Sequence, residues 1–426
     1  MVKPYIEVPE ALERIHRGEI VLVTDDATRE YETDLVVAAT HANRDPINFL
    51  ITYGRGLVCV ALPRERLFQL QLSPMVPPEL STERHGTGFM VSVDAREGTS
   101  TGISAADRAH TIRTLMDPEA GPQDFLRPGH VFPLAADSRG VLGRPGHTEA
   151  ALDLTRLAGL PPGGVICELL DGEGYAMRGD DVITFALAHG LGLLTIQQLI
   201  DFRWQHDTLV ERGTTATLPT EFGEFLVTDF RLLIDGSEHV ALLYGDISTR
   251  HTVLTRIHSE CLTGDALHSL RCDCGDQLHL AMEAIVREGA GVLLYLRQEG
   301  RGIGLAAKLQ AYALQDRGFD TVEANLALGF PADQRHYGVA VQMLQALGIS
   351  RVRLLTNNPD KVMALMRYGV IVEERLPLVA PYRPERARYL LAKRIRLAHE
   401  LPEAVTQVEL STVTSEEKEP LNASCL

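Results

Sequence analysis

Twice in the second half of the chain an apolar run enters a turn and leaves it as a helix, and no other feature limits the fold so tightly. Val292-Leu293-Leu294-Tyr295-Leu296 leads into the glycine-rich segment Arg297 to Gly304, then into a helical pattern from Leu305 to Arg317 stopped by Gly318. Val352-Arg353-Leu354-Leu355 leads through Thr356-Asn357-Asn358-Pro359-Asp360 into a helix from Lys361 to Tyr368, ended by Gly369. Such strand–turn–helix units point helix N–H groups at the turn, where an anion can be held. The first half is less regular. A helix-like stretch, Glu10 to Arg17, precedes a strand at Ile20 to Val23, a charged loop from Asp25 to Asp34 and an apolar run from Leu35 to Ala39. Short apolar runs recur at Leu57 to Val60 and Gly164 to Cys167, with helical segments at His147 to Leu157 and Val182 to His189. The mixture predicts layered α/β (α+β) architecture.

A chain of 426 residues is long for one domain and predicts two of about 200 residues each. Periodicity fades between Phe202 and Pro219, across Arg212-Gly213-Thr214-Thr215-Ala216-Thr217. A domain boundary is therefore expected near residue 208, giving domains 1–208 and 209–400. From about Leu401 the chain is rich in Glu, Ser and Thr, and 401–426 reads as a disordered tail. The formal net charge of −16 argues against nucleic-acid or anionic-membrane partners. A small phosphate ligand needs only a few local cations and N–H groups, so it stays open. No apolar run reaches membrane-spanning length and Met1 to Glu7 lacks a signal-peptide core, so a cytoplasmic protein is expected.

Three of the six cysteines, Cys261, Cys272 and Cys274, lie within 14 positions. In a cytoplasmic chain that crowding suggests metal rather than disulfides. Three thiolates can fill three tetrahedral positions on Zn²⁺ and leave the fourth open, the pattern of a catalytic ion that lowers the pKa of bound water from ~15.7 to about 7. The spacing also admits plain buried cysteines, or a structural site closed by His258 or His279. The turn Arg297-Gln298-Glu299-Gly300-Arg301-Gly302-Ile303-Gly304 is neither a dinucleotide fingerprint nor a P-loop, yet its arginines and glutamate suit phosphate and base-edge recognition. Asp333-Gln334-Arg335 sets a carboxylate and a guanidinium on one face of an extended backbone, as a surface ion pair also would.

Together these segments resemble GTP cyclohydrolase II, from about Val227 to His399. The likeness is carried by His258-Ser259-Glu260-Cys261, Arg271-Cys272-Asp273-Cys274-Gly275, Gln298 to Gly302, Glu323-Ala324-Asn325 and Thr356-Asn357-Asn358-Pro359. The resemblance implies zinc on Cys261, Cys272 and Cys274. It implies GTP bound by Arg256, Ile257, His258, Ser259, Glu260, Gln277, Glu299, Gly300, Arg301, Thr321, Thr356 and Lys361. Asp333 is implied as proton acceptor and Arg335 as nucleophile toward the α-phosphate, although an arginine with pKa above ~12 suits charge stabilisation better. Where the family commonly has Asp after that arginine, this chain has His336.

The first half resembles 3,4-dihydroxy-2-butanone 4-phosphate synthase, from about Ile6 to Arg203. The likeness rests on Asp25-Asp26 with Arg29-Glu30, Gly54 to Cys59, Thr101 to Arg108, Arg127 to Pro133 and Gly146 to Ala150. It implies Mg²⁺ or Mn²⁺ on Glu30 and His147, with ribulose 5-phosphate bound by Arg29, Glu30, Asp34, Arg144, Pro145, Gly146, His147, Thr148 and Glu168. His130 and Glu168 are implied as catalytic, and a homodimer is implied as the assembly. Carboxylates, a histidine and a divalent ion are the tools for the enolisation and proton transfers of such a reaction. One loop departs from the family's Asp-Asp-Glu-Asp-Arg-Glu-Asn-Glu-Gly-Asp, having Ala27, Thr28, Tyr31 and Thr33 instead. Loss of the glycine is expected to remove a φ > 0 option, and Tyr31 to add bulk. The expectation is thus a bifunctional enzyme feeding riboflavin synthesis. A chain with only the cyclohydrolase active, its first half a scaffold, is the alternative; a zinc-stabilised GTP-binding protein without turnover is another.

Overall fold

In the computed structural model the described residues are 4–26 and 29–402, so Ala27, Thr28 and the tail reading from residue 403 onward lie outside them. The chain divides into two units, Met1–Arg203 and Trp204–Leu426.

The first unit is built on eight strands: β1 (Val21–Thr24), β2 (Thr33–Ala38), β3 (Cys59–Leu62), β4 (Gly88–Phe89), β5 (Val93–Ala95), β6 (Phe125–Ala135), β7 (Gly164–Glu168) and β8 (Gly192–Thr195). They form one mixed sheet in the order β4-β6-β3-β7-β2-β1-β8, with β5 paired to β6. Successive strand residues point to opposite faces, and both faces are covered. Leu22, Leu35, Val37, Val60 and Val165 pack with Ile47, Ile112 and Val182 from helices Arg44–Phe49, Ala105–Met116 and Asp180–His189. Val21, Val23, Val36, Ala61 and Ile166 pack with Ile15, Leu154 and Leu199 from helices Val8–His16, His147–Leu157 and Ile196–His206. Burial on both sides is why these strands read as unbroken apolar runs.

The second unit has seven strands: β9 (Val210–Thr220), β10 (Gly223–Leu232), β11 (Glu238–Tyr244), β12 (Val253–Ser259), β13 (Gly291–Leu296), β14 (Arg351–Leu355) and β15 (Ile371–Leu376). Their order is β15-β14-β12-β13-β11-β10-β9. The first four strands of that order are mutually parallel; β11, β10 and β9 extend the sheet antiparallel. Most of the stretch in which periodicity fades is strand β9. It pairs only with β10 at the sheet edge and leaves residues 211–219 exposed, so no alternating apolar signal marks it. Its threonines were the one sequence cue.

From β12 the chain crosses to β13 on one side, whereas from β14 it crosses to β15 on the other. This reversal opens a crevice outside the carboxyl ends of β12 and β14, where open α/β sheets bind their ligands. The two strand–turn–helix units are present, with helices Gly304–Gln315 and Pro359–Arg367, the second capped by Asn358 accepting from Asp360 N–H.

His336 lies away from that crevice. Its ring stacks on Trp204 at 4.4 Å. Gly338 N–H donates to Nδ1 at 3.2 Å, which leaves Nε2–H to donate to the Tyr368 hydroxyl at 3.1 Å. Gly338 itself must be bare, because a Cβ there would meet the Trp204 ring at 2.5 Å. Burial, then Arg367, pushes His336 down to about 4. The unfolded histidine binds its proton near 6.5. The folded state therefore favours neutral His336, and that stability is complete above pH ~6.5 and lost toward pH 4. Thermal unfolding of His336→Asn, whose amide oxygen can replace Nδ1, is expected to depend less on pH between 6.5 and 4 than wild type. The difference should be on the order of 2 kcal/mol, and parallel curves would remove His336 as the cause.

Candidate active sites

The cleft of the second unit gathers residues from the ends of three parallel strands. Arg256, His258, Ser259, Glu260 and Cys261 come from β12 and its end; Gln298 to Arg301 follow β13; Thr356, Asn357, Asn358 and Lys361 follow β14. Gln277, Thr321 and Arg335 are also in the wall. Of the residues expected to bind GTP, only Ile257 does not line it, and Ile257 takes part through its backbone carbonyl, which accepts Lys361 Nζ at 2.8 Å. Arg256 Nη1 reaches across the same crevice to the Leu355 carbonyl at 2.9 Å.

The three cysteines converge, with ligand atoms within 4.8 Å of one another. Gly264, unremarked in the sequence, makes this possible: a Cβ there would lie 2.8 Å from Cys272 Sγ and 3.1 Å from Cys261 Sγ. Hydrogen bonds from Cys272 and Cys274, and then the Lys308 ammonium 3.1 Å away, hold Cys261 well below the usual thiol range. Lys308 also donates to Glu299 Oε1 at 2.7 Å, and Glu299 Oε2 accepts Leu262 N–H at 2.7 Å. Three soft sulfurs around a cradle that a single methyl group would fill suit Zn²⁺, which they would bind as thiolates. His258 is not a fourth ligand: its Nε2 faces Asp265 at 3.1 Å, while Nδ1 is buried without a partner among the described residues.

The other wall is cationic. Burial, then Arg256, Arg335 and Lys393, pushes Lys361 well below the usual lysine range. Burial, then Lys393, Arg335, Lys361 and Arg301, pushes His399 down to about 2. Both Nη atoms of Arg301 and Nε of Arg256 are buried without partners among the described residues. Arg301 and Gly300 stand in the left-handed region (φ 64° and 62°), strain that a turn serving a ligand can carry. Asp333 is not in the wall. Its carboxylate grips Arg335 instead, through Nε at 2.9 and 3.1 Å and the backbone N–H at 2.9 Å. Burial opposes the charge on Asp333, but these bonds hold it below its ordinary value. Of the Glu323-Ala324-Asn325 motif, Asn325 lines the cleft while Glu323 closes a capping box with Asp320.

In the first unit Asp25, Glu30 and His147 form a second cluster with ligand atoms within 4.8 Å. Arg29 Nη1 bridges Asp25 Oδ2 at 3.0 Å and Glu30 Oε2 at 2.5 Å. His147, 3.7 Å from Glu30, holds that carboxyl down at about 2 against burial, with help from Arg29. Burial opposes a proton on His147, yet Asp34, Glu30 and Asp25 keep it up to about 9. Asp34 on β2 pairs in register with Glu168 on β7, and burial with Glu168 and Glu32 pushes it up to about 7. His147 Nε2 and Asp34 Oδ1 are buried without partners among the described residues. Such a set of oxygens with one imidazole fits a hard divalent ion.

Glycines shape this site too. A Cβ on Gly56 would lie 2.4 Å from Glu168 Oε2, which accepts Leu57 N–H at 2.7 Å. His130 pairs with Asp94 (Nδ1 to Oδ2, 2.7 Å), and among the described residues no hydrogen bond or ion pair links it to the acid cluster. Arg144 is committed to Glu149 at 2.6 Å, the His85 carbonyl at 2.8 Å and Thr87. The divergent loop corrects one expectation. Thr33 is ordinary strand, so glycine's freedom is not needed there; Tyr31 takes the left-handed turn at φ 55°, where the family's Asn is at ease. Arg178 covers the Tyr31 ring at 5.4 Å and donates to its carbonyl at 2.9 Å.

Sequence reasoning missed Lys308, Asp94, Tyr389 and Lys393, which carry no local signature. It quoted Asp25 without giving it a role, although the Asp25–Arg29 spacing was a visible cue.

The second unit thus gathers three cysteines and a cationic cleft at a switch point, and the first unit an acid–histidine cluster. Residues 9–202 match 3,4-dihydroxy-2-butanone 4-phosphate synthase, and residues 211–377 match GTP cyclohydrolase II. Riboflavin biosynthesis protein RibBA of Bacillus cytotoxicus is 50% identical over 92% of this chain and 98% of its own length. The Bacillus subtilis protein of that name gives the same three figures. A crystal structure of RibBX, a two-domain 3,4-dihydroxy-2-butanone 4-phosphate synthase from A. baumannii, is 35% identical with a TM-score of 0.67, covering 87% of this chain and 99% of that one. The chain belongs to the family of two-domain riboflavin biosynthesis enzymes that joins a 3,4-dihydroxy-2-butanone 4-phosphate synthase to a GTP cyclohydrolase II.

The zinc cradle makes a direct prediction. Elemental analysis of purified protein should find about one zinc per chain, and Cys272→Ser should lose it. Gly264→Ala, which leaves every ligand in place, should weaken zinc retention at least about tenfold by spreading the sulfurs. Unchanged retention in Gly264→Ala would mean that the sulfurs do not share an ion.

Proposed function

We propose that the second unit converts GTP to 2,5-diamino-6-(ribosylamino)pyrimidinone 5′-phosphate, formate and pyrophosphate. The first unit converts ribulose 5-phosphate to 3,4-dihydroxy-2-butanone 4-phosphate and formate. What carries the first assignment is the meeting of opposites in one cleft: three converging cysteine sulfurs on one wall, and on the other buried cations of which Arg256, Arg301 and Lys361 have no carboxylate partner among the described residues. Only a polyanion offsets Arg256, Arg301, Arg335 and Lys361 together.

Zinc on Cys261, Cys272 and Cys274 would supply water activated at neutral pH. Lys308 keeps Cys261 deprotonated and Glu299 in place. Arg335, always charged, stabilises the phosphate charge as pyrophosphate leaves. Asp333 aims that guanidinium and, being ionised, can take a proton during ring opening. In the first unit a magnesium or manganese ion on Glu30 and His147, with Asp25 as a further ligand, would polarise the substrate carbonyl. Arg29, which bridges Asp25 and Glu30, would be free for the sugar phosphate once those carboxylates held the ion. Asp34, poised near neutrality, and Glu168 beside it move protons, with His130 held in one tautomer by Asp94.

Formate release by the full chain, measured separately from GTP and from ribulose 5-phosphate, tests both assignments. Cys272→Ser should silence only the first reaction and Glu30→Ala only the second. Arg335→Ala and Asp333→Asn should each lower GTP turnover at least ~100-fold with little change in melting temperature; full activity would leave the pair a surface salt bridge. A wild-type chain silent with ribulose 5-phosphate but active with GTP would make the first unit a scaffold.

The Tyr31 turn offers a further check. Tyr31→Asn relieves a left-handed tyrosine at the loss of the Arg178 stack, so ribulose 5-phosphate turnover should rise or stay within about threefold. A collapse of turnover would show that Tyr31 contributes more than bulk.

A further inference from the structure

The cyclohydrolase match ends at residue 377, yet the helix Ala387–Arg396 lies beyond it and reaches the cleft through Tyr389 and Lys393. Lys393 Nζ donates to Asp273 Oδ1 at 2.7 Å, and both residues are buried. Asp273 stands between Cys272 and Cys274, immediately ahead of the helix Cys274–Glu288. Its other oxygen accepts Gln277 Nε2 at 2.6 Å. Gln277 Oε1 in turn accepts Arg256 Nη2 at 2.7 Å, and Arg256 Nη1 ends on the Leu355 carbonyl. The direction of this chain is chemically fixed, since a carboxylate only accepts and a guanidinium only donates, so the Gln277 amide has one permitted orientation. A second tie, Arg386 to Asp276 Oδ2 at 2.5 Å, anchors the same helix, with Arg386 1% exposed.

We propose that Lys393 is a positioning residue of the cyclohydrolase site. Through Asp273 it fixes the Cys-x-Cys turn, and through Gln277 it aims Arg256 at the nucleotide. The proposal rests on the cyclohydrolase reading above. A buried carboxylate stripped of its cation must seek another partner, and the nearest route runs through Gln277 to Arg256. Turning Asp273 turns the backbone that carries Cys272 and Cys274. One lysine far along the chain thus governs two things at once: how firmly the three sulfurs hold their ion, and where the Arg256 guanidinium points. Buried partners just outside a metal's ligands commonly govern affinity in this way.

The test uses full-length Lys393→Met with Lys393→Arg as the conservative rescue. Zinc release to a chromogenic chelator is measured alongside KM and kcat for GTP, with formate from ribulose 5-phosphate as the control for an intact chain. Lys393→Met should release zinc at least about tenfold faster and raise KM for GTP by a similar factor, more than it lowers kcat. Lys393→Arg should restore most of both. Zinc release and KM within about twofold of wild type, even with a lowered melting temperature, would reduce Lys393 to a helix anchor and overturn the proposal. If Lys393→Met does not fold, Asp273→Asn/Lys393→Met removes both buried charges. Faster zinc release from that folded double variant supports the proposal, and unchanged release overturns it. A wild-type chain without zinc or GTP turnover would instead sink the cyclohydrolase reading itself.

Discussion

Two parallel strands that part company hold this catalytic unit together. Because β12 and β14 lead to crossovers on opposite sides of the sheet, their carboxyl ends leave a crevice that no backbone bond can close. Two buried cations close it instead, Arg256 onto the Leu355 carbonyl and Lys361 onto the Ile257 carbonyl. Each cation braces one strand against the other while remaining in the wall of the cleft. The zinc cradle follows β12, the glycine turn follows β13 and the asparagine turn follows β14. These three segments of the cleft wall are all referred to that braced edge.

The cost of this arrangement is electrostatic. Arg256, Arg301, Arg335 and Lys361 crowd a cleft in a chain whose formal net charge is −16. Burial and mutual repulsion push Lys361 down, and they push His399 down to about 2. Such a cluster is unfavourable by itself and is offset when a polyanion enters. The first unit solves the opposite problem. There Asp25, Glu30, Asp34 and Glu168 crowd together, and His147 and Arg29 provide the positive charge that an added divalent ion would share. One chain therefore carries one cleft rich in buried cations and one cluster rich in carboxylates.

Backbone freedom is spent where side chains must meet. Gly264 lets three sulfurs approach, Gly56 lets the chain pass Glu168, and Gly338 lies flat against Trp204. Tyr31 shows the contrary case, a bulky residue in a left-handed turn, compensated by the Arg178 guanidinium over its ring.

Local chemistry was legible in the sequence. The three zinc-suited cysteines sit within one short segment, and strand–turn–helix units announce themselves through apolar runs, caps and glycines, because these depend on neighbours a few residues away. So does the helix His147–Leu157, whose bounds the sequence pattern matches. Edge strand β9 was not legible, since a strand bare on both faces has no periodic signal. Nor were the groups that act across the fold. Lys308 meets Cys261 from 47 positions away, and Lys393 meets Asp273 from 120. The sequence by itself determined which ligands and turns the chain possesses. Only the tertiary structure decided which distant charges stand beside them, because a buried ion pair is set by where helices pack on the sheet and leaves no mark in the residues nearby.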